Sequence, residues 1–154
     1  MNVKATLSPE DVARACADAM WKDDDASRGL GMKIIEIKPG QATLTMTVEP
    51  HMVNGQRIAH GGFIFALADS AFAFACNSHN ERAVAAQGNI TFIRPGKLGD
   101  VLVATAREIS RSGRSGIYDV RVTADSEVIA EFRGHSRTIG GTWLPPNETD
   151  SKQK

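Results

Sequence analysis

The 154-residue sequence has only two cysteines, Cys16 and Cys76, and they lie far apart without metal-ligand spacing. A disulfide framework and a zinc site are therefore not expected, and we predict two free thiols in a reducing compartment. Residues 1–9 also lack the basic and then apolar pattern of an export signal. These absences together favour a cytoplasmic protein.

The sequence also lacks a net charge, because 18 Lys and Arg residues balance 18 Asp and Glu residues. No global field favours nucleic acid, so an anionic ligand must be held by a local cluster. Gly-x-Ser-x-Gly and His-Glu-x-x-His motifs are missing. The glycines at 29 and 31 are followed by Ile34 where a dinucleotide fingerprint needs a third glycine. We therefore predict neither a metal nor a cofactor.

One long apolar stretch is present, and only Asp69 and Ser70 are polar between Phe63 and Cys76. Its 14 positions would span only about 21 Å as a helix, against about 30 Å for a membrane core, so we predict no membrane span. A helix that is apolar on all faces must be buried. Its alanines keep it thin, so we predict a central helix around which a curved sheet wraps.

The rest of the chain predicts an α+β domain. Ser8 and Pro9 start a helix that runs to about Trp21, and residues 22–27 form a polar turn. A hairpin precedes the central helix, and four strands with short turns follow it as an antiparallel meander. The predicted segments are 1–28, an N-terminal helix and turn; 29–141, the main domain, with strands at 32–37, 42–48, 83–93, 100–109, 116–124 and 128–138; and 142–154, a flexible tail.

Candidate site residues gather around the start of the central helix. The amides of Gly61 and Gly62 can approach a ligand closely and favour negative charge. Asp69 lies about 12 Å further along the same side, so a carboxylate and an oxyanion-binding amide are expected to flank one cleft. A structural hydrogen bond or ion pair is the alternative role for Asp69. His60 and Asn54 complete the set, although each could simply stabilise a turn.

Two basic loops are candidates for gripping phosphate groups, and a solvated turn is the alternative for each. A third, weaker candidate is Arg133 near the last strand. The two loops contain Arg94, Pro95, Gly96 and Lys97, and Arg111 and Arg114.

Several motifs together resemble the PaaI-type acyl-CoA thioesterases of the hotdog fold, which act in phenylacetate degradation. The resemblance covers about residues 31–141. The motifs are Val53-Asn54-Gly55, His60-Gly61-Gly62, Ala68-Asp69, Ala73-Phe74-Ala75-Cys76-Asn77-Ser78, Thr91-Phe92-Ile93-Arg94-Pro95-Gly96 and Phe132-Arg133-Gly134.

The resemblance implies a hotdog fold with an antiparallel sheet around the helix, homodimers that pair into homotetramers, and a site between subunits. Asp69 would be the general base or the nucleophile. The amide of Gly61 would bind the thioester carbonyl, with His60 fixing the turn and Asn54 assisting. The basic loops would meet the phosphates of coenzyme A (CoA). Ala73 stands where a related, Glu-bearing branch has a hydroxyl residue, which favours the Asp branch and leaves open what orients the water.

The resemblance implies hydrolysis of phenylacetyl-CoA or a ring-hydroxylated relative. Three alternatives stay open: a thioesterase for other aryl or medium-chain acyl-CoAs, a dehydratase acting on a 3-hydroxyacyl thioester, and a non-catalytic acyl-CoA-binding protein. Phe63, Phe65 and Phe72 are candidates for lining an aryl pocket, or for the core.

Overall fold

The computed structural model describes residues 6–146, and two short helices open this part of the chain. Helix α1, Pro9–Trp21, is capped by Ser8, whose hydroxyl accepts a hydrogen bond from the amide of Asp11 at 3.1 Å. Helix α2, Asp25–Gly29, occupies part of the segment predicted as a polar turn. The prediction of a turn was wrong for these residues because Asp24 caps the helix. Its side chain accepts a hydrogen bond from the amide of Ser27 at 2.9 Å.

Six antiparallel strands form one sheet, which confirms the α+β class. The predicted hairpin of β1 and β2 is confirmed. In space the strands follow the order β1-β2-β4-β5-β6-β3. The strands are β1 (Lys33–Lys38), β2 (Gln41–Thr47), β3 (Ala83–Phe92), β4 (Val101–Ser112), β5 (Ser115–Ala124) and β6 (Glu127–Thr138).

The predicted four-stranded meander is correct for β4, β5 and β6 and wrong for β3. Strand β2 pairs with β4 along the edge that β3 would need. Residues 93–100 instead carry the chain across, and β3 pairs with β6 at the edge of the sheet. Strand β3 is exposed along most of its length. One of its two hydrogen-bonding edges therefore has no partner strand within the described chain.

Helix α3, Gly61–Cys76, is the predicted central helix, and the concave face of the sheet packs against it. Its buried residues include Leu67, Ala71 and Phe72. The prediction that every face is buried was wrong for a single chain, because a stripe of Ala66, Asp69 and Ala73 is only half-buried. One sheet cannot enclose a whole helix.

Asn77 anchors the end of α3, and its side chain is 1% exposed. Its Nδ2 donates to the carbonyl oxygens of Ala73 and Ala83 at 2.9 and 3.1 Å. Its Oδ1 accepts from the amide of Ala83 at 2.9 Å and from Nε1 of Trp143 at 2.8 Å. The first residues of the segment predicted as a flexible tail are thus hydrogen-bonded to the domain. Residues 147–154 of that segment lie outside the described residues.

Both cysteines are free, as predicted, and both are buried. Burial raises the pKa of the Cys76 thiol to about 12, which makes it a poor nucleophile. Within residues 6–146 no helix has both the length and the hydrophobicity to cross a membrane.

We predict that Asn77→Ala lowers the free energy of unfolding by about 3 kcal/mol or more, because it leaves several buried hydrogen-bonding groups without a partner. Urea denaturation measures this loss. The matched control is Gln56→Ala, which removes an exposed amide side chain and should change the midpoint little. Equal midpoints for the two variants would show that Asn77 is not an anchor.

Candidate active site

A cavity of about 470 Å³ lies at the N-terminus of α3 and brings together Asn54, Gly61 and Arg94. We call it the N-terminal cavity. The loop before α3 is held in place because the amide of His60 donates to the carbonyl of Met52 at 2.7 Å. The full lining comprises Asn54, Ile58, Ala59, Gly61, Ile64, Phe92, Ile93, Arg94 and Pro95.

His60 caps the helix and so positions the Gly61 amide. Its Nδ1 accepts a hydrogen bond from the amide of Gly62 at 2.9 Å. That nitrogen is therefore unprotonated, and in the neutral ring the proton is on Nε2. No acceptor for the Gly61 amide is found within the described chain. A Cβ at Gly61 would lie 2.7 Å from the ring of Phe92, so the cavity wall approaches the backbone closely. The free amide suits an oxyanion.

Asn54 makes the turn predicted for it, and it also lines the N-terminal cavity. Its Oδ1 accepts from the amide of Gln56 at 2.9 Å and from that of Ile58 at 3.4 Å, which makes the turn. With the oxygen used in this way, the Nδ2 group is the end of the side chain that remains to donate to a ligand. Asn54 lines the same cavity as Gly61, so two residues with an N–H donor face one cavity.

Asp69 lies in a second cavity of about 430 Å³, which we call the Asp69 cavity. Burial raises the pKa of its carboxyl, and no hydrogen bond or neighbouring charge from the described residues opposes this shift. The structural alternative, a satisfied hydrogen bond or ion pair, therefore has no support. The lining comprises Met20, Asp69, Phe72, Ala73, Cys76, Asn77, Arg82, Ala83, Val84, Ala85, Ile139 and Trp143.

Within one chain Gly61 and Asp69 line two separate cavities, in place of the one cleft expected from their spacing on the helix. Ala83–Ala85, at the start of β3, line the Asp69 cavity. Phe92, at the end of β3, lines the N-terminal cavity. The two cavities thus lie at opposite ends of the same edge strand, because residues eight positions apart on α3 are separated by two turns.

The predicted basic residues do not converge within one chain. Arg94 and Pro95 line the N-terminal cavity, and Arg94 also donates to the carbonyl of Val128 at 3.2 Å. Gly96 accepts from the amide of Ala59, and the amide of Lys97 donates to Asp100, so the two residues hold this loop in place.

The other basic residues lie elsewhere. Arg111 lies near the end of β4 and Arg114 lies in the β4–β5 turn, where it donates to the carbonyl of Thr138 at 2.9 Å. Arg133 forms a bidentate pair with Asp119 at 2.6 and 2.8 Å.

Sequence reasoning missed most of the wall of the Asp69 cavity. Of the three candidate phenylalanines only Phe72 lines it. Phe65 packs against Phe132, and Phe63 packs against His60. Trp143 and Arg82, which face each other at 4.2 Å, were not singled out. A tryptophan beside a leucine, just before a polar C-terminal end, was the available signal.

No group of three His, Cys, Asp or Glu side chains able to hold a metal ion occurs within the described range 6–146. A sheet wrapped around a helix, with a free amide and a carboxylate in cavities along that helix, is the arrangement of a hotdog-fold thioesterase. Comparison with known proteins supports this class.

A model of the thioesterase superfamily matches residues 56–131. Acyl-coenzyme A thioesterase PaaI of Escherichia coli K12 is 46% identical over 127 residues, which are 82% of this chain and 91% of that protein. The solved E. coli PaaI structure, from the phenylacetic acid degradation operon, has a TM-score of 0.86 and 43% identity, covering 88% of this chain and 99% of that chain. A Streptococcus mutans protein bound to acetyl-CoA has a TM-score of 0.70 and 27% identity, covering 72% and 90%.

The chain therefore belongs to the thioesterase superfamily, among the PaaI-type acyl-CoA thioesterases, and it is a thioester hydrolase. The predicted family, fold and enzyme class are confirmed.

We predict that Asp69→Asn stabilises the fold at neutral pH. The ordinary pKa of the carboxyl is 3.8 and burial raises it in the folded state. The folded protein then binds the proton more tightly than the unfolded chain, so stability falls as the pH rises through this window. The variant, which lacks the charge, avoids this loss.

Urea denaturation at several pH values tests this prediction. The advantage of Asp69→Asn over the wild type should be largest at pH 7 and should shrink toward pH 4. The exposed residue Asp23 offers a matched control, since Asp23→Asn should show no such trend. A pH-independent advantage would contradict the assigned cause.

Proposed function

We propose that this protein hydrolyses arylacetyl-CoA thioesters, phenylacetyl-CoA or a ring-hydroxylated relative, in the degradation of aromatic acids. The similar E. coli PaaI protein comes from the phenylacetic acid degradation operon, and the similar S. mutans protein was solved with acetyl-CoA. The buried free thiols Cys16 and Cys76 fit a reducing compartment, so we place the reaction in the cytoplasm.

The observation that carries the proposal is the position of the two cavities along β3. If two copies pair their β3 edges antiparallel about a two-fold axis, the start of one strand lies beside the end of the other. The Asp69 cavity of one chain then meets the N-terminal cavity of its partner. Val84 and Phe92, both about half-exposed in the single chain, would be covered by this dimer. We propose that such dimers pair into tetramers.

In this composite site, the Gly61 amide and Asn54 Nδ2 of one chain hold the thioester oxygen. The Asp69 carboxylate of the other chain takes a proton from a water molecule, whose oxygen attacks the thioester carbon. The negative charge passes to the held oxygen, as in other acyl transfers. The carbon–sulfur bond then breaks, and CoA leaves as a thiolate that recovers the proton. Direct attack by the carboxylate, followed by hydrolysis of the anhydride, gives the same products.

Antiparallel pairing also gives the basic residues a shared role. The loop with Arg94 and Lys97 lies at the end of β3. Arg111 at the end of β4 and Arg114 in the β4–β5 turn lie near the start of β3, where Arg114 contacts Thr138. Across the dimer these two groups become neighbours. We propose that they contact the CoA phosphates. Arg133, which is paired with Asp119, contributes little to CoA binding.

Asp69→Asn should lower kcat for phenylacetyl-CoA by about 10²–10⁴, the usual contribution of a positioned base, without weakening CoA binding. Release of free thiol from arylacetyl, benzoyl, short-chain and long-chain thioesters measures it, with Asp23→Asn as the control for charge removal. If no thioester is hydrolysed while acyl-CoA still binds, the protein is a binding protein. If a non-aryl thioester is hydrolysed best, the substrate assignment is wrong.

Mixing two slow variants tests the composite site. Asp69→Asn and Asn54→Ala should each be slow, but a mixed dimer carries both intact groups in one of its two sites. Random refolding makes half of the dimers mixed, so about a quarter of wild-type activity should return. Variants mixed without refolding provide the control. A site built within one chain predicts no recovery.

A further inference from the structure

We infer that Trp143 and the strap that carries it, Ile139–Leu144, limit the size of the acyl group in the Asp69 cavity. This inference rests on the proposed function, because it takes the cavity that contains Asp69 as the place where the acyl group lies. The strap follows β6 and returns to the end of α3. Ile139 and Trp143 of the strap both line the cavity.

Three residues in the wall of this cavity come from outside the part of the chain that the superfamily shares. The superfamily model covers residues 56–131. Met20 of α1 lies before it, and Ile139 and Trp143 lie after it, yet all three line the cavity together with Asp69. The shared core supplies the carboxylate and most of the wall, while the flanking segments complete the wall on one side. Substitutions in these flanking residues can therefore change the selectivity for the acyl group without removing the carboxylate.

Trp143 is fixed on several sides. Its Nε1 donates to Asn77 Oδ1 at 2.8 Å, which sets the orientation of the indole. Its backbone amide and that of Leu144 each donate to Asn80 Oδ1 at 3.0 Å. The guanidinium of Arg82 lies 4.2 Å from the ring centre, and its Nε donates to the carbonyl of Thr142 at 3.0 Å.

A wall fixed in this way limits size because it cannot move cheaply. Moving the indole would break the bond to Asn77, whose side chain is buried and whose Oδ1 also holds the start of β3. The small residues Ala73, Ala83 and Ala85 leave room for a compact group between the helix and the strand. We expect an alkyl chain that extends beyond this space to meet the fixed indole of Trp143. The wall therefore favours compact acyl groups.

The test compares kcat/KM for dodecanoyl-CoA and phenylacetyl-CoA. Trp143→Ala should raise the dodecanoyl to phenylacetyl ratio by about tenfold or more, since a pocket discriminates by about that factor for a small change in fill. Trp143→Phe, which keeps a ring, should raise it less. Leu144→Ala is the matched control, because Leu144 is in the strap but not in the cavity wall, and its ratio should stay constant. Met20→Ala probes the same wall from α1 and should act in the same direction as Trp143→Ala.

A binding measurement separates this inference from the proposed function. Calorimetry in the Asp69→Asn background gives the ratio of the two Kd values without turnover. If no variant hydrolyses thioesters but this ratio shifts with Trp143→Ala, the proposed function fails and the size limit stands. If Asp69-dependent hydrolysis is seen while both ratios stay unchanged in Trp143→Ala, Trp143→Phe and Met20→Ala, the size limit is wrong and the function stands.

Discussion

Incomplete coverage of one apolar helix is the constraint on which the rest of this structure depends. Six strands wrap α3 on one side, and the sheet ends at β3, whose outer edge has no partner strand among residues 6–146. The stripe of Ala66, Asp69 and Ala73 is left half-buried beside that edge. Apolar surface and unpaired strand edges both favour association. The feature that leaves a single chain incomplete therefore lies in the same place as the candidate site.

Two partly buried carboxyl groups in this chain show how environment separates structural from functional roles. Burial alone would raise the pKa of Glu108, but hydrogen bonds from Tyr118 at 2.7 Å and from His79 at 2.9 Å hold it below its usual value. The pKa of Asp69 is raised by burial with no partner among the described residues. Glu108 has a structural role, because its carboxylate is hydrogen-bonded. The Asp69 carboxylate is desolvated, and no described residue offsets the cost of its burial with a hydrogen bond or an opposite charge.

Local sequence patterns predicted the parts of the fold that depend on local chemistry. The cap at Ser8, the hairpin of β1 and β2 and the bounds of α3 follow from side chains within a few residues of each other. The place of β3 beside β6 could not be predicted in this way, because strand order depends on which edges are already occupied.

In the candidate site, too, local features were predicted and tertiary ones were missed. His60 and Asn54 were singled out from a local motif, and the structure explains both by hydrogen bonds within four residues. Trp143 was missed because its partner Asn77 is 66 positions away in the sequence. Burial of Asp69 in a cavity, and not against a partner, is likewise a tertiary property.

The spacing between Gly61 and Asp69 indicates that the register of the paired β3 strands in the proposed dimer controls thioester hydrolysis. A base and an oxyanion donor must each reach the same thioester group within about 3 Å, yet eight helical residues separate these two by about 12 Å. In the proposed dimer this separation is closed across the interface and not along the helix. A slip of one residue between the paired β3 strands would move the facing groups by about 3.4 Å and turn the side chains to the other face. The edge strand, which carries no catalytic side chain, would then determine whether the site exists.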